Sequence, residues 1–171
     1  DNPGTFERVA VDEDGALGVS VYALLKDSRG RMWAGTEGMG LLEYENVGDA
    51  PGHFAPVHRS QGLAHPNVND IVEDGLGRLW LGCDNGGFYV YDGRRFTDVA
   101  AGHAISRENV YLVEVSSDNA ILVGTNRGLY RYEPELESYV HYGRTEGFVG
   151  AELEAVVRDA YIDDVSYPRT T

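Results

Sequence analysis

Residues 20–45 read SVYALLKDSRGRMWAGTEGMGLLEYE, and the chain repeats this segment 47 residues later, over 67–92, as NVNDIVEDGLGRLWLGCDNGGFYVYD. Eight of the 26 aligned positions are identical. A third copy, residues 109–133, follows at an offset of 42 residues that becomes 41 after one deletion. A period of about 40 to 45 residues is typical of stacked or radial arrays of supersecondary units. The repeat therefore indicates the architecture before any catalytic motif is considered.

Each copy contains signals for three strands separated by two turns. In the second copy, Asp74 and Gly77 stand at the first and fourth positions of a type I turn. Residues 85–87, Asn-Gly-Gly, signal a tight hairpin turn. The segments around these turns are rich in the β-branched and aromatic residues that suit strands, and no window shows a sustained helical period. Each copy is therefore predicted to form strands.

A fourth strand is predicted after each copy, starting at an aromatic residue. The positions are Phe54, Phe96 and Tyr139, with Phe6 ahead of the first copy. The next apolar strand start follows 14 residues later in three cases and 15 in the first. Four strands joined by hairpin turns form a propeller blade. A β-solenoid is the alternative, but its coils are shorter and lack three hairpin turns per repeat.

The predicted fold class is therefore all-β, a β-propeller of four-stranded antiparallel blades that forms one segment over residues 1–171. The predicted parts are three full blades at about 20–58, 67–99 and 109–142, an orphan outer strand at about 5–11 and a partial blade from 152. Closed propellers have typically four to eight blades. Either the chain is a segment of a larger propeller, which we favour, or the N-terminal strand completes a degenerate fourth blade.

Composition limits the classes of partner. The net charge is -14 and the pI about 4.6, which disfavours binding to nucleic acid or to an anionic membrane surface. The single cysteine, Cys83, excludes an intrachain disulfide and a thiol–metal cluster. No apolar run approaches the ~18 residues of a membrane span, and no signal peptide opens the chain. We expect no direct membrane contact by this segment, and we interpret its Asp-Asn-Pro-Gly start as an internal cut.

The pattern Val…Asp-x-x-Gly-x-x-Trp-x-Gly-Thr…Gly-Leu-x-x-Tyr resembles the two-component regulator propeller repeat. The first copy carries it at Val21, Asp27, Gly30, Trp33, Gly35, Thr36, Gly40, Leu41 and Tyr44. The second copy carries it at Val68, Asp74, Gly77, Trp80, Gly82, Gly87, Phe88 and Tyr91. The resemblance spans about residues 6–159. The chain departs from the pattern at Cys83, in the third copy, which lacks the tryptophan and the turn aspartate, and in the tail after Asp159.

The resemblance implies a function as well as a fold. In this family, propellers form extracytoplasmic sensor regions of bacterial histidine kinases and hybrid two-component regulators, and several are linked to glycan sensing. It therefore implies a periplasmic or extracellular, noncatalytic sensor, with an oligosaccharide or another small molecule as ligand and a homodimer as an expected assembly. A lyase-type propeller enzyme with a histidine base is one alternative. A protein-interaction scaffold with an apolar patch at the mouth of the propeller is another.

Residues that recur from blade to blade are predicted to be structural, because a catalytic site would occur once per ring. The aspartates would accept hydrogen bonds from turn amides, and the tryptophans would fill the space between adjacent sheets. These positions are Asp27, Gly30, Trp33, Gly35, Asp74, Gly77, Trp80, Gly82 and Gly124.

Ligand-binding residues are instead expected in two sets of loops at one end of the channel. One set joins each outer strand to the next inner strand, and the other is the hairpin between the second and third strands. Amide, histidine and arginine side chains there suit hydroxyl-rich or carboxylated sugars. The candidates are Glu37, His65, Asn67, Asp84, Asn85, His103, Arg107, Asn126 and Arg127. The same loops also contain Gln61, Glu108 and Asn109.

No cofactor and no metal are predicted. Residues 12–15, Asp-Glu-Asp-Gly, lack the further ligands of a calcium-binding loop. The five histidines include no closely spaced pair that would suggest zinc, although a ring can bring distant histidines together. The chain shows no nucleophile elbow and no phosphate-binding loop.

Overall fold

The computed structural model describes residues 19–46, 52–57 and 61–143, which form twelve strands in three antiparallel sheets. The first sheet contains β1 (Val21–Lys26), β2 (Met32–Thr36), β3 (Gly40–Glu45) and β4 (His53–Pro56). The second contains β5 (Val68–Glu73), β6 (Leu79–Cys83), β7 (Phe88–Tyr91) and β8 (Phe96–Asp98). The third contains β9 (Val110–Val115), β10 (Ile121–Thr125), β11 (Gly128–Glu133) and β12 (Ser138–Tyr142).

In each sheet the strands pair in chain order, as in a meander. The innermost strand β5 contacts both β1 and β9, so the three sheets lie with their first strands side by side. The predicted fold class, a propeller of four-stranded antiparallel blades, is confirmed. The outer strand predicted at about 5–11 and the partial blade predicted from 152 lie outside the described residues.

The turn between the first two strands of a sheet is organised by a buried aspartate. Asp74 Oδ1 accepts hydrogen bonds from the amides of Leu76 (2.9 Å) and Arg78 (3.0 Å). Its Oδ2 accepts from Arg78 Nε (2.6 Å) and from the indole Nε1 of Trp80 (2.8 Å). Gly77 ends the turn at φ 75°, a conformation that glycine adopts without steric cost. One carboxylate therefore holds both the turn and the tryptophan of its sheet.

The first sheet repeats this arrangement and the third replaces it. Asp27 accepts the same four kinds of hydrogen bond, including one from Trp33 Nε1 at 3.0 Å. In the third sheet Ser116 occupies the aspartate position and Leu122 the tryptophan position. The Ser116 hydroxyl bonds within its own turn, and Asn119 takes the positive φ of 66°. Because the leucine side chain has no N–H, this turn needs no carboxylate to accept a hydrogen bond from that position.

Two apolar cores lie between neighbouring sheets. Trp33 packs into the core shared by the first and second sheets, and Trp80 into the core shared by the second and third. Glycine allows the close approach at both interfaces. A Cβ added to Gly82 would lie 2.6 Å from Val110 Cγ1, and one added to Gly35 would lie 2.8 Å from the Val68 carbonyl oxygen.

One side of the first sheet differs from the equivalent side of the other two. Val21, Leu24 and Met32 are 46%, 64% and 38% exposed. Their equivalents in the other two sheets are at most 6% exposed. Those residues are Val68, Ile71 and Leu79 in the second sheet and Val110, Val113 and Ile121 in the third. In the second and third sheets this side therefore packs against the preceding sheet.

Candidate ligand-binding site

The hairpins between second and third strands lie at the end of the molecule where the innermost strands begin, which we call the mouth. The backbone amides of Glu37, Asp84 and Asn126 donate to the carbonyls just before β1, β5 and β9. These bonds bring the two predicted sets of loops together at the mouth.

Each innermost strand starts with a β-bulge that the repeat pattern did not reveal. The register shifts between Val21 and Ala23, between Val68 and Asp70, and at the matching point of β9. The extra residues are Tyr22, Asn69 and Tyr111. Bulges redirect side chains and are frequent beside functional sites. One extra strand residue leaves no compositional signal, so only the paired backbone reveals it.

Asparagines at the strand starts join neighbouring sheets. Asn67 Oδ1 accepts from the Gly38 amide (2.9 Å), and Asn109 Oδ1 accepts from the Asn85 amide (2.8 Å). Gly38 and Asn85 hold equivalent places in the hairpins of the first and second sheets. We call Asn67 and Asn109 the inter-sheet asparagines. Their side-chain oxygens accept from the preceding sheet.

Further candidates from the sequence make contacts inside this network. Asn67 Nδ2 donates to Asp84 Oδ2 (3.0 Å), and Asn69 Nδ2 donates to Asp84 Oδ1 (2.8 Å). Asn126 Oδ1 accepts from the Asn109 amide at 3.0 Å. The structure therefore places the polar groups of Asn67, Asp84 and Asn126 in contacts between strands, hairpins and sheets.

Three other candidates also lie apart from the pocket described below. Glu37 is exposed and forms a hydrogen bond with the side chain of Tyr22. Asn85 contributes its backbone amide to Asn109, while the residue itself is exposed at φ 57°. His65 packs 5.9 Å from the Tyr89 ring, measured between ring centroids.

The remaining candidates, His103, Arg107 and Arg127, surround one pocket of about 470 Å³. Its walls are residues of the loop 102–108 and the β10–β11 hairpin. The loop contains a short 3-10 turn, Ala104–Arg107, anchored by the fully buried Ile105. The structure thus brings together three loop residues that the sequence separates by up to 24 positions.

Glu108 is a buried carboxylate in the wall of this pocket, only 4% exposed. Its Oε2 accepts from Thr125 Oγ1 at 2.6 Å and its Oε1 from the Tyr130 hydroxyl at 2.7 Å. Burial, followed by the hydrogen bond to Glu108, raises the pKa of Tyr130. Tyr130 therefore stays protonated at neutral pH and acts as a donor. Glu108 belongs to the predicted loops but is not among the nine candidates. The equivalent position in the preceding loop is Pro66. This break in the repeat is the only sequence signal for Glu108.

The two arginines of the pocket differ from the arginines of the repeat turns. Arg31 and Arg78 are paired with the turn aspartates at 2.7 and 2.6 Å. Within the described part of the chain, neither Arg107 nor Arg127 forms an ion pair with a carboxylate. Both residues are exposed. The pocket therefore presents two guanidinium groups that can donate to an acceptor from solution.

Among residues 19–46, 52–57 and 61–143, no group of three or more histidine, cysteine, aspartate or glutamate side chains could hold a metal ion. No helix in the same residues has the length and apolar character needed to cross a membrane. The acidic segment 12–15 lies outside them.

Comparison with known proteins agrees with the repeat pattern. Residues 15–38 and 62–85 match the family model described as two component regulator propeller. The chain is 30% identical over 138 residues to Histidine kinase P4 from Formosa agariphila, covering 77% of this chain and 10% of that protein.

Two solved structures from B. thetaiotaomicron share the fold. One is the extracellular domain of the "putative hybrid two component system BT3049", with 19% identity and a TM-score of 0.61 over 77% of this chain. The other is the extracellular domain of the "putative one component system BT4673", with 17% identity and a TM-score of 0.63 over 79%. This chain spans 18% of each of these structures. Residues 15–38 and 62–85 are thus similar to two-component regulator propeller repeats.

Proposed function

We propose that this chain is part of the ligand-sensing propeller of a bacterial two-component-type receptor, that it is noncatalytic, and that it lies in the periplasm or outside the cell. The observation that carries the proposal is the match of two repeats to the two component regulator propeller model. The similarity to a histidine kinase and the fold shared with two extracellular domains support it. The kinase relative is about ten times as long as the matched segment, so the output of the receptor belongs to other parts of such proteins.

The pocket beside Glu108 is the proposed ligand site, and an oligosaccharide is the proposed ligand. A volume of about 470 Å³ lies within the range of small-molecule sites, roughly 300 to 1,000 Å³. Arg107 and Arg127 offer planar sets of N–H donors, and His103 adds an aromatic ring close to that of Tyr139, with 4.6 Å between centroids. Donors beside aromatic rings suit the hydroxyl groups and faces of sugars.

Ligand binding at this pocket would bias the packing of two sheets. The loop 102–108 joins the second sheet to the third, and Arg127 lies on the hairpin of the third. A ligand that contacts both favours the arrangement in which they are correctly spaced, and it shifts the population toward that arrangement. The change would then pass to the packing between protomers and to the output domains.

The contacts around Glu108 also bear on the alternative of a lyase-type enzyme. Tyr130 and Glu108 form the tyrosine–carboxylate pair that such an activity would use. A tyrosine that removes a proton needs a lowered pKa, whereas burial and Glu108 raise the pKa of Tyr130. The pair therefore does not supply a tyrosine base for such an activity.

A protein-interaction scaffold would expose an apolar patch at the mouth. Leu24 and Met32 are exposed away from the start of β1, and they and Val21 occupy positions that form the interface between sheets elsewhere in the chain. This observation favours the ligand-sensing proposal over the scaffold.

Glycan-array binding followed by isothermal titration calorimetry tests the proposal. We expect the purified chain to bind at least one oligosaccharide, and Arg127→Ala to weaken that binding at least tenfold. Arg94→Ala removes an exposed arginine from the β7–β8 turn and serves as the matched control, with unchanged affinity. Binding to no glycan, or equal weakening by both substitutions, would refute the proposed ligand or the proposed pocket, respectively.

A further inference from the structure

We propose that the ligand of this pocket is an acid: a sugar or sugar-like molecule whose carboxylate is bound by Arg107 and Arg127 together. This inference rests on the proposed ligand-sensing function and names the chemical class that the site would select. The observations that carry it are the two arginines without ion pairs and the way the nearby carboxylate of Glu108 is bound.

Four of the six other arginines in the described residues have carboxylate partners, and Arg29 and Arg94 have none. Arg31, Arg78, Arg95 and Arg131 each lie within 4.0 Å of an aspartate or glutamate oxygen. Acidic residues outnumber lysine and arginine by 28 to 14 in the chain, so partners are plentiful. Arg107 and Arg127 line one pocket and have no such partner among the described residues. They are therefore able to bind an anion from solution.

Glu108 lies in the same pocket but does not form an ion pair with either arginine. Thr125 and Tyr130 donate to its two oxygens at 2.6 and 2.7 Å. The carboxylate is 96% buried, whereas the arginines are exposed. The two hydroxyl donors therefore hold this carboxylate in the wall without help from either arginine.

The pocket is of a size that holds one small ligand, and both arginines line it. A volume of about 470 Å³ corresponds to a space roughly 10 Å across, in the range of small-ligand sites. A guanidinium can donate two parallel hydrogen bonds to a carboxylate, a geometry that lysine does not offer. A neutral sugar offers hydroxyl groups alone and would leave both positive charges without a counterion.

The net charge of the chain does not prevent this binding. At physiological ionic strength, charges more than about 8 Å apart are largely screened. The carboxylates of the distant surface therefore act weakly on an anion in the pocket, where Arg107 and Arg127 outnumber the one lining carboxylate, Glu108. Added salt should weaken the binding for the same reason.

Titration with matched sugars tests the inference. Sodium D-glucuronate and sodium D-galacturonate are compared with D-glucose and D-galactose by calorimetry and by NMR of the arginine Nε–H signals. We expect the acids to bind at least tenfold more tightly than their neutral counterparts and to shift the signals of Arg107 and Arg127. Arg107→Gln and Arg127→Gln should each weaken binding of the acids by about 10- to 100-fold, while Arg94→Gln should leave it unchanged.

The outcomes separate this inference from the proposed function. Equal affinity for acid and neutral sugars, or acid binding that survives both arginine substitutions, overturns the acid assignment and leaves ligand sensing standing. Lack of binding by both acids also overturns the assignment, whatever the glycan array shows. If the acids bind through the arginines but the receptor that contains this chain gives no signalling response, the sensing proposal fails and the acid site remains. Circular dichroism of each variant verifies that it is folded.

Discussion

Substitution of Asp74 by asparagine tests whether one buried carboxylate organises the turn and the tryptophan of its sheet. The replacement keeps the size of the side chain but removes its charge and exchanges one oxygen for an amino group. Oδ1 accepts two backbone amides, and Oδ2 accepts from Arg78 Nε and Trp80 Nε1. In either orientation of the new amide, its amino group would face two donors, so two hydrogen bonds are lost.

The cost follows from which donors water can reach. Trp80 is 1% exposed, so its indole N–H would be left buried without an acceptor, at about 1–3 kcal/mol. The side chain of Arg78 is 34% exposed and can be hydrated, which limits its contribution to about 1 kcal/mol. We therefore expect Asp74→Asn to lower the free energy of unfolding by about 2–4 kcal/mol.

Urea denaturation followed by far-ultraviolet circular dichroism measures this change. Asp92→Asn is the matched control, because Asp92 also accepts two turn amides, from Arg94 and Arg95, but is exposed and binds no indole. We expect it to cost less than about 1 kcal/mol. In a Trp80→Phe background, Asp74→Asn should cost about 1–3 kcal/mol less than in the native chain. If both aspartates cost the same, or if the Trp80 background makes no difference, the reasoning is wrong.

Three further outcomes are expected. Gly82→Ala should destabilise the chain by about 1–3 kcal/mol in urea, because its Cβ would lie 2.6 Å from Val110 Cγ1; Gly75→Ala, whose Cβ meets nothing closer than 3.8 Å, should have little effect, and equal effects would contradict the packing argument. Burial raises the pKa of Tyr89 to about 12, above the value of ~10 for an unfolded phenol. The stabilisation from keeping this phenol protonated is therefore complete below pH 10 and is lost as the pH rises toward 12. The urea midpoint should fall over that range, and less steeply in Tyr89→Phe; identical slopes in the two proteins would contradict this expectation. Burial also raises the pKa of the Cys83 thiol, so a thiol reagent should react only after unfolding, and rapid reaction with the native chain would refute this.

The strands and turns could be predicted from the sequence because their determinants are local. Asp74 and Gly77 lie three positions apart in one turn, and the tryptophan follows at a constant distance. Recurrence of this short pattern at a constant period then indicates the propeller. These interactions depend on neighbours along the chain, so a single sequence contains them.

The roles of the loop residues depend on contacts between distant positions. Asn67 binds the amide of Gly38, 29 residues away, and Glu108 binds Tyr130, 22 residues away. Amide and carboxylate side chains in loops look alike whether they join sheets or face solvent. The sequence could therefore predict which loops meet at the mouth, but not that His103, Arg107 and Arg127 share a pocket.

The hydrogen bond between the turn aspartate and the tryptophan links the fates of two positions in each repeat. A repeat that combined serine at the turn position with tryptophan six residues later would bury an indole N–H that has no acceptor. A repeat that combined aspartate with leucine at these positions would keep a carboxylate that has lost one of its four donors. The first two repeats carry one compatible pair and the third carries the other, Ser116 with Leu122. Anyone designing or recombining blades from this chain should therefore exchange both residues as one unit.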